Sequence, residues 1–190
     1  MFNLCYSCSP VPTNLQIKFI KSLHQKKFRQ ESRLFICEGK KLLEEALRFR
    51  SEYVVYIFAT AQFIDSHQLV HPKLIRCSQT ELERMSALTT SPEVLTVMRF
   101  LEEPTELPTS DLHVYIDGIS DPGNLGTILR TAEWFGLKSV ILSPNSVDPY
   151  NTKVIQAAMG SLFRVHLFRT SLGTLLTNYH FDHILAATMD

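Results

Sequence analysis

The sequence predicts an α/β chain of two successive modules, on three observations. Short runs rich in Val, Ile, Phe and Tyr alternate with segments of helical period along most of the length. One polar stretch, residues 102–110 with Pro104 and Pro108, interrupts the alternation and has linker composition. The chain has 190 residues, 45% of them hydrophobic, which suffices for one large core or two small ones.

Residues 1–12 read as a loose leader with two prolines. Thr13 or Asn14 suits the cap of a helix running to about residue 30, with Leu15, Phe19 and Leu23 as its apolar side. Residues 34–37 form a short buried strand, and Gly39 opens a helix that turns Leu42, Leu43, Ala46 and Leu47 inward. Glu38, at the strand end, suits a cap for that helix. Strands follow at 53–59 and 74–77, then a helix at 80–87 and a strand at 94–100. Residues 13–101 thus make a small α/β domain. Beyond the linker, residues 111–190 read as strand 112–117, helix 125–136, strand 138–142, helix 150–159, strand 163–167, helix 171–178 and strand 183–188. Helices between strands at this spacing predict crossovers and a parallel sheet. Such sheets bind ligands beyond the carboxyl ends of their strands. The last strand runs out at Met189 and Asp190, so the second domain is expected to be incomplete at its C-terminus.

The formal net charge is zero, yet the charge is uneven. Residues 1–50 hold ten Lys and Arg against four Asp and Glu, with Lys18, Lys21, Lys26, Lys27, Arg29 and Arg33 in one short span. Such a cluster can neutralise phosphates, and it can equally be a solvated helix face. No apolar run approaches the roughly 18 residues of a membrane span. The first residues lack the basic region and apolar core of a secretory signal, so a cytoplasmic location is expected. Cys5 and Cys8 form a lone CxxC, without the second pair or spaced histidines of a zinc site. Cys37 and Cys77 fall in apolar strand runs. All four are expected to be free thiols, with no metal bound.

The segment from Asp117 to Ala132 runs from a strand end through a polar turn into a helix. Gly123 permits a tight turn and Gly126 a close helix approach. The helix start can hold an anion, and Asn124 and Arg130 can face one site above the sheet edge. The same residues also suit a plain corner, since Asp-Pro-Gly-Asn is ordinary turn composition. No dinucleotide loop, phosphate loop, nucleophile elbow or zinc-protease pair is found in the sequence.

Asp117 to Gly136, D-G-I-S-D-P-G-N-L-G-T-I-L-R-T-A-E-W-F-G, resembles the first signature of the SpoU/TrmH class of RNA ribose methyltransferases, in the SPOUT superfamily. Asp148 to Phe163 is similar to the second signature, and Arg29 to Gly39 to the family's N-terminal substrate-binding domain. The resemblance implies a C-terminal domain of trefoil-knot type and a homodimer formed through it. It implies methyl transfer from S-adenosylmethionine to a ribose 2′-hydroxyl of RNA, ribosomal rather than transfer RNA. Asn124 and Arg130 match the family's asparagine and catalytic arginine. Thr188 and Met189 match positions beside the cofactor, and Gly160 and Ser161 are expected to shape the pocket floor. Lys26, Lys27, Arg29, Arg33 and Lys40 are the expected RNA contacts. The third signature, a Gly-Asn-Glu-Gly type loop and Asn-rich helix, is not found in this sequence. A second expectation therefore stands beside the enzyme: an RNA-binding module or fragment without a complete cofactor site, not catalytic by itself.

Overall fold

The computed structural model describes residues 11–107 and 112–187. The chain begins with α1 (Asn14–Ser22) and α2 (Lys26–Ser32), then β1 (Leu34–Glu38) and α3 (Lys40–Arg50). A 3-10 turn at Ser51–Tyr53 leads into β2 (Val54–Thr60) and α4 (Ala61–His67). β3 (Leu74–Cys77), α5 (Gln79–Met85) and β4 (Val94–Arg99) complete the first module. Its four strands are ordered β1-β4-β2-β3; β4 is antiparallel to both neighbours, and β2 and β3 are parallel.

Local chemistry sets the helix starts. The Thr13 hydroxyl accepts from the Gln16 amide while the Gln16 side chain takes the Thr13 amide, a reciprocal capping box. Ser78 and Glu81 repeat the arrangement at α5. Two expectations for this region fail. The single helix to residue 30 is broken, because Arg29 Nη1 donates to the carbonyls of Leu23 and His24 at 2.8 Å each. The buried side of α1 is Ile17 and Ile20, with Leu23 following, whereas Leu15 is 79% exposed.

The second module holds β5 (Val114–Ile116), α6 (Pro122–Trp134), β6 (Ser139–Leu142) and α7 (Thr152–Ala158). After a 3-10 turn at Ser161–Phe163 come β7 (His166–Arg169) and α8 (Leu172–Asn178). The sheet is parallel throughout, in the order β5-β6-β7. The strand read at 163–167 shifts forward, because Met159 (φ 52°) and Gly160 (φ 94°) end α7 and Phe163 turns into the core. Residues 183–187 are not in a strand; Ile184 and Leu185 are 64% and 96% exposed. Residue 188, which the expected strand included, lies outside the described residues.

The modules share one apolar cluster. Phe35, Leu42 and Ala46 of the first pack with Leu129, Val154 and Phe163 of the second. Tyr150 stacks on Phe100 with centroids 3.9 Å apart, and its hydroxyl accepts from the Leu101 amide at 3.0 Å. Burial pushes the Tyr150 phenol above its ordinary pKa. Cys37 and Cys77 are buried free thiols, and burial pushes Cys77 up to about 12, so it stays protonated. No helix among the described residues is long and apolar enough to cross a membrane.

Helix α6 lies against α7 at Gly126, where an added Cβ would come within 2.5 Å of Ala157 Cβ and 2.8 Å of the Val154 carbonyl. Gly126→Val is expected to destabilise the fold by about 1–3 kcal/mol through overpacking. Denaturant unfolding checks this: an unchanged midpoint would mean that α7 can retreat freely.

Candidate active site

The loops at the carboxyl ends of β5 and β6 are tied together. The Ser143 amide donates to the Ile116 carbonyl at 3.0 Å and the Val147 amide to the Ile119 carbonyl at 2.8 Å. Gly118, at φ 60°, donates its N–H to Ser143 Oγ at 2.8 Å, and Ser143 Oγ donates onward to Asn145 Oδ1 at 2.6 Å. The positive φ of this loop therefore falls at Gly118, not at Gly123, which is helical. These side chains bond one another, so they fix the loop backbone instead of facing a ligand.

Asp121 caps α6: its Oδ1 accepts from the Asn124 amide at 2.7 Å, and Pro122 takes the first helical turn, where a missing N–H costs nothing. A carboxylate thus sits where the sequence allowed an external anion. Leu125, Gly126, Leu129 and Ala132 form the buried stripe of α6, while Asn124 and Arg130 are exposed on its outer side. Six residues separate them, about 9 Å along the axis and 120° around it.

The chain has ten arginines, all among the described residues. Nine have a protein partner. Arg29 and Arg164 pair with buried or half-buried carboxylates, and Arg76 pairs with Asp65. Arg33 and Arg48 lie over phenylalanine rings, and Arg50, Arg84, Arg99 and Arg169 donate hydrogen bonds. Arg130 is the one arginine whose side chain has no hydrogen bond, ion pair or ring contact among the described residues.

The basic face divides. Lys26, Lys27, Arg33 and Lys40 are exposed, Lys27 and Lys40 within reach of Glu31 and Glu44 in ordinary i,i+4 pairs. Arg29 cannot serve as an RNA contact in this fold. It is 2% exposed, with Nε and Nη2 donating to Asp148 Oδ2 at 3.0 and 2.6 Å. Glu38 is not the cap of α3; its buried carboxylate accepts from the Ser86 hydroxyl. Gly160 and Ser161, expected at a pocket floor, are packed against carboxylates of two helices. A Cβ at Gly160 would meet Glu45 Cγ at 2.7 Å, and Ser161 Oγ donates to Glu133 Oε2 at 2.6 Å. Both belong to the junction of the modules, where Arg164 bridges Glu45 of α3 and Glu133 of α6. Burial lowers the Arg164 pKa from its ordinary value. Thr188, Met189, Cys5 and Cys8 lie outside the described residues.

The sequence reading missed the structural roles of Asp148, Glu133 and Arg164, whose partners are far away in the chain. It also missed exposed Trp134 and Phe135, 87% and 75% accessible at the end of α6. A cavity of about 200 Å³ at the module junction is lined by Arg50, Tyr53, Tyr150 and His166 among others, with no residue from the 117–121 loop or α6.

A four-stranded mixed module is fused to a three-stranded parallel module, and an arginine with no partner among the described residues lies beside the parallel sheet: a two-module α/β protein. Residues 111–189 match the model of the SpoU rRNA Methylase family, and residues 14–96 match an MRM3-like substrate binding domain. It is 31% identical over 159 residues to 23S rRNA (guanosine(2553)-2'-O)-methyltransferase RlmP of Bacillus subtilis, covering 84% of this chain and 63% of that protein. It is 27% identical over 162 residues to human rRNA methyltransferase 3, mitochondrial, covering 80% of this chain and 39% of that one. A putative RNA methyltransferase of the TrmH family from Porphyromonas gingivalis superposes with a TM-score of 0.75 at 36% identity, over 84% of this chain and 63% of the other. AdoMet-bound rRNA methyltransferase from Sinorhizobium meliloti gives 0.76 at 26% identity, over 89% and 68%. The chain spans 63% and 64% of the length of two curated bacterial relatives.

Asp121→Ala is expected to cost about 1 kcal/mol by removing the cap of α6. Thermal unfolding of the variant, with Asp121→Asn as a control that retains an acceptor, checks the assignment.

Proposed function

We propose that the chain serves S-adenosylmethionine-dependent methylation of a ribose 2′-hydroxyl in ribosomal RNA. The observation that carries this is Arg130, the arginine left without a partner among the described residues, exposed on α6 beside the parallel sheet. The names of the relatives support the substrate: a 23S rRNA 2'-O-methyltransferase and an rRNA methyltransferase. A cytoplasmic location is part of the same proposal, and a Bacillus subtilis rRNA methyltransferase among the relatives supports it.

A guanidinium stays protonated, so Arg130 acts as a cation and not as a base. It orients the target phosphate and stabilises the oxyanion that develops on the ribose. Asn124, with its amide N–H held by Asp121, keeps its side chain available to position the same nucleotide. S-adenosylmethionine supplies an activated methyl group on a sulfonium. The described residues fit such a group in part: the loops after β5 and β6 offer backbone at the sheet edge, their side chains being bonded to each other. Thr188 and Met189 are proposed to complete the contact. Lys26, Lys27, Arg33 and Lys40 grip RNA phosphates. The division is 13–101 for substrate, 102–110 as linker and 111–190 for methyl transfer, and the two separate sheets support it. A homodimer through the second domain is supported by Trp134 and Phe135, large apolar groups left exposed on the helix that carries Arg130.

Arg130→Ala is expected to lower methyl transfer by about 10²-fold or more, the scale of losing one transition-state donor. Calorimetry should show S-adenosylmethionine and RNA affinity little changed. Full activity in the variant would remove Arg130 from the mechanism. Absence of cofactor binding by the parent chain would leave it an RNA-binding module.

The double change Lys26→Ala and Lys27→Ala is expected to weaken RNA binding alike for all sequences and to flatten its salt dependence, by about one unit of slope per lost phosphate contact. Binding titrations across a salt series test it; an unchanged slope would move the RNA to another face.

A further inference from the structure

Two arginine clusters join the modules at opposite ends of α6. Near its start, Arg29 reaches from α2 to Asp148, and the neighbouring Val147 holds the 117–121 loop through Ile119. Asp148 Oδ1 also accepts from the Tyr150 amide at 3.0 Å, so its carboxylate is fixed from both sides. Near the end of α6, Arg164 spans Glu133 and Glu45 of α3, while its guanidinium lies 4.8 Å above the Phe49 ring. Helix α6 is therefore held to the first module by directional, charge-assisted bonds, and not merely by the covalent link between modules. Lys26 and Lys27 ride on the same short helix as Arg29, on its exposed side.

We propose that Arg29 and Arg164 are positioning residues that fix the offset between the RNA-gripping face of α2 and Arg130. The ribose to be methylated is then selected by its distance from the gripped backbone. This rests on the catalytic reading of α6 given above. A loosely tethered α2 would let many nucleotides visit Arg130, each briefly. A clamped one presents a single nucleotide, and an error of an ångström in that placement is costly in rate. Such a device suits a folded RNA, rigid enough to hold its own two contact points at a set separation.

The test uses the whole protein with spin labels at Gln30→Cys and Lys138→Cys and with Cys5 and Cys8 changed to serine. Pulsed electron resonance then reports the distance between modules. Arg29→Lys and Arg164→Lys keep the charge but lose the planar fork, and circular dichroism confirms that each variant is folded. The expected result is a broadened distance distribution with RNA affinity unchanged. At saturating RNA, kcat should fall by about 10²-fold at most, and methylation should spread to nucleotides beside the normal target. A distribution as narrow as the parent's in both variants overturns the proposal. So does a loss confined to RNA affinity, with kcat and target choice retained. If the parent methylates no RNA while the distribution still broadens, the clamp stands and the catalytic reading of α6 falls.

Discussion

Arg29 and Asp148 form a buried ion pair on which the rest of the arrangement depends. Both groups are almost removed from water, at 2% and 8% side-chain exposure. Burying two charges is costly unless geometry and further hydrogen bonds compensate. Here Arg29 makes four such bonds, two to one carboxylate oxygen and two to the carbonyls of Leu23 and His24. Those carbonyls are free because the helix stops at Ser22 and restarts at Lys26. The helix break and the ion pair are thus one feature: the break exposes acceptors, and the guanidinium satisfies them. On α2 the lysines Lys26 and Lys27 lie at the surface while Arg29 reaches the other module.

From that joint outward, each contact narrows the position of α6. Gly126 allows backbone-close packing on α7, where a side chain would collide with Ala157. Asp121 closes the first turn, and Arg164 anchors Glu133 in the last full turn. Lys would serve poorly in the place of Arg164, because a point charge cannot span carboxylates on two different helices with fixed geometry. The loop before α6 is held by backbone bonds and by Ser143, so it depends little on side chains that could rotate. Rigidity of this kind is what a site needs when its main task is alignment.

Much of this was legible in the sequence, and the failures have a common cause. Features set within a few residues were readable: the Thr13 cap, the strands of the first module, the first two strands of the second and their parallel order, and the small residue at Gly126. Features set by distant partners were not. Helical spacing places Arg29 among basic neighbours, and nothing nearby indicates that its partner lies 119 residues further on. Gly160 and Ser161 carry the same lesson, since Glu45 and Glu133 determine what they do. Residues 183–187 fail differently. Their composition suits a strand, but a strand exists through its ladder, and they pair with no strand among the described residues. Helix α4 was missed, though Thr60 caps it in the usual way.

The candidate site was legible only as a pattern of residue types, and the structure changes what distinguishes it. In the sequence Arg130 is one arginine among ten. In the fold the other nine are committed, some to buried carboxylates, some to rings, some to main-chain carbonyls. An arginine on a helix surface gains about 0.3–0.5 kcal/mol from a neighbouring acid, and residues four away in either direction are open to selection for one. At Arg130 those positions are Gly126 and Trp134, and the acid three residues on, Glu133, is held by Arg164 and Ser161. One must be small for α6 to meet α7, and the other is an exposed aromatic. Neither can neutralise the guanidinium. The packing that fixes α6 thus also leaves Arg130 exposed and without a partner among the described residues, which is the state in which a phosphate can recruit it.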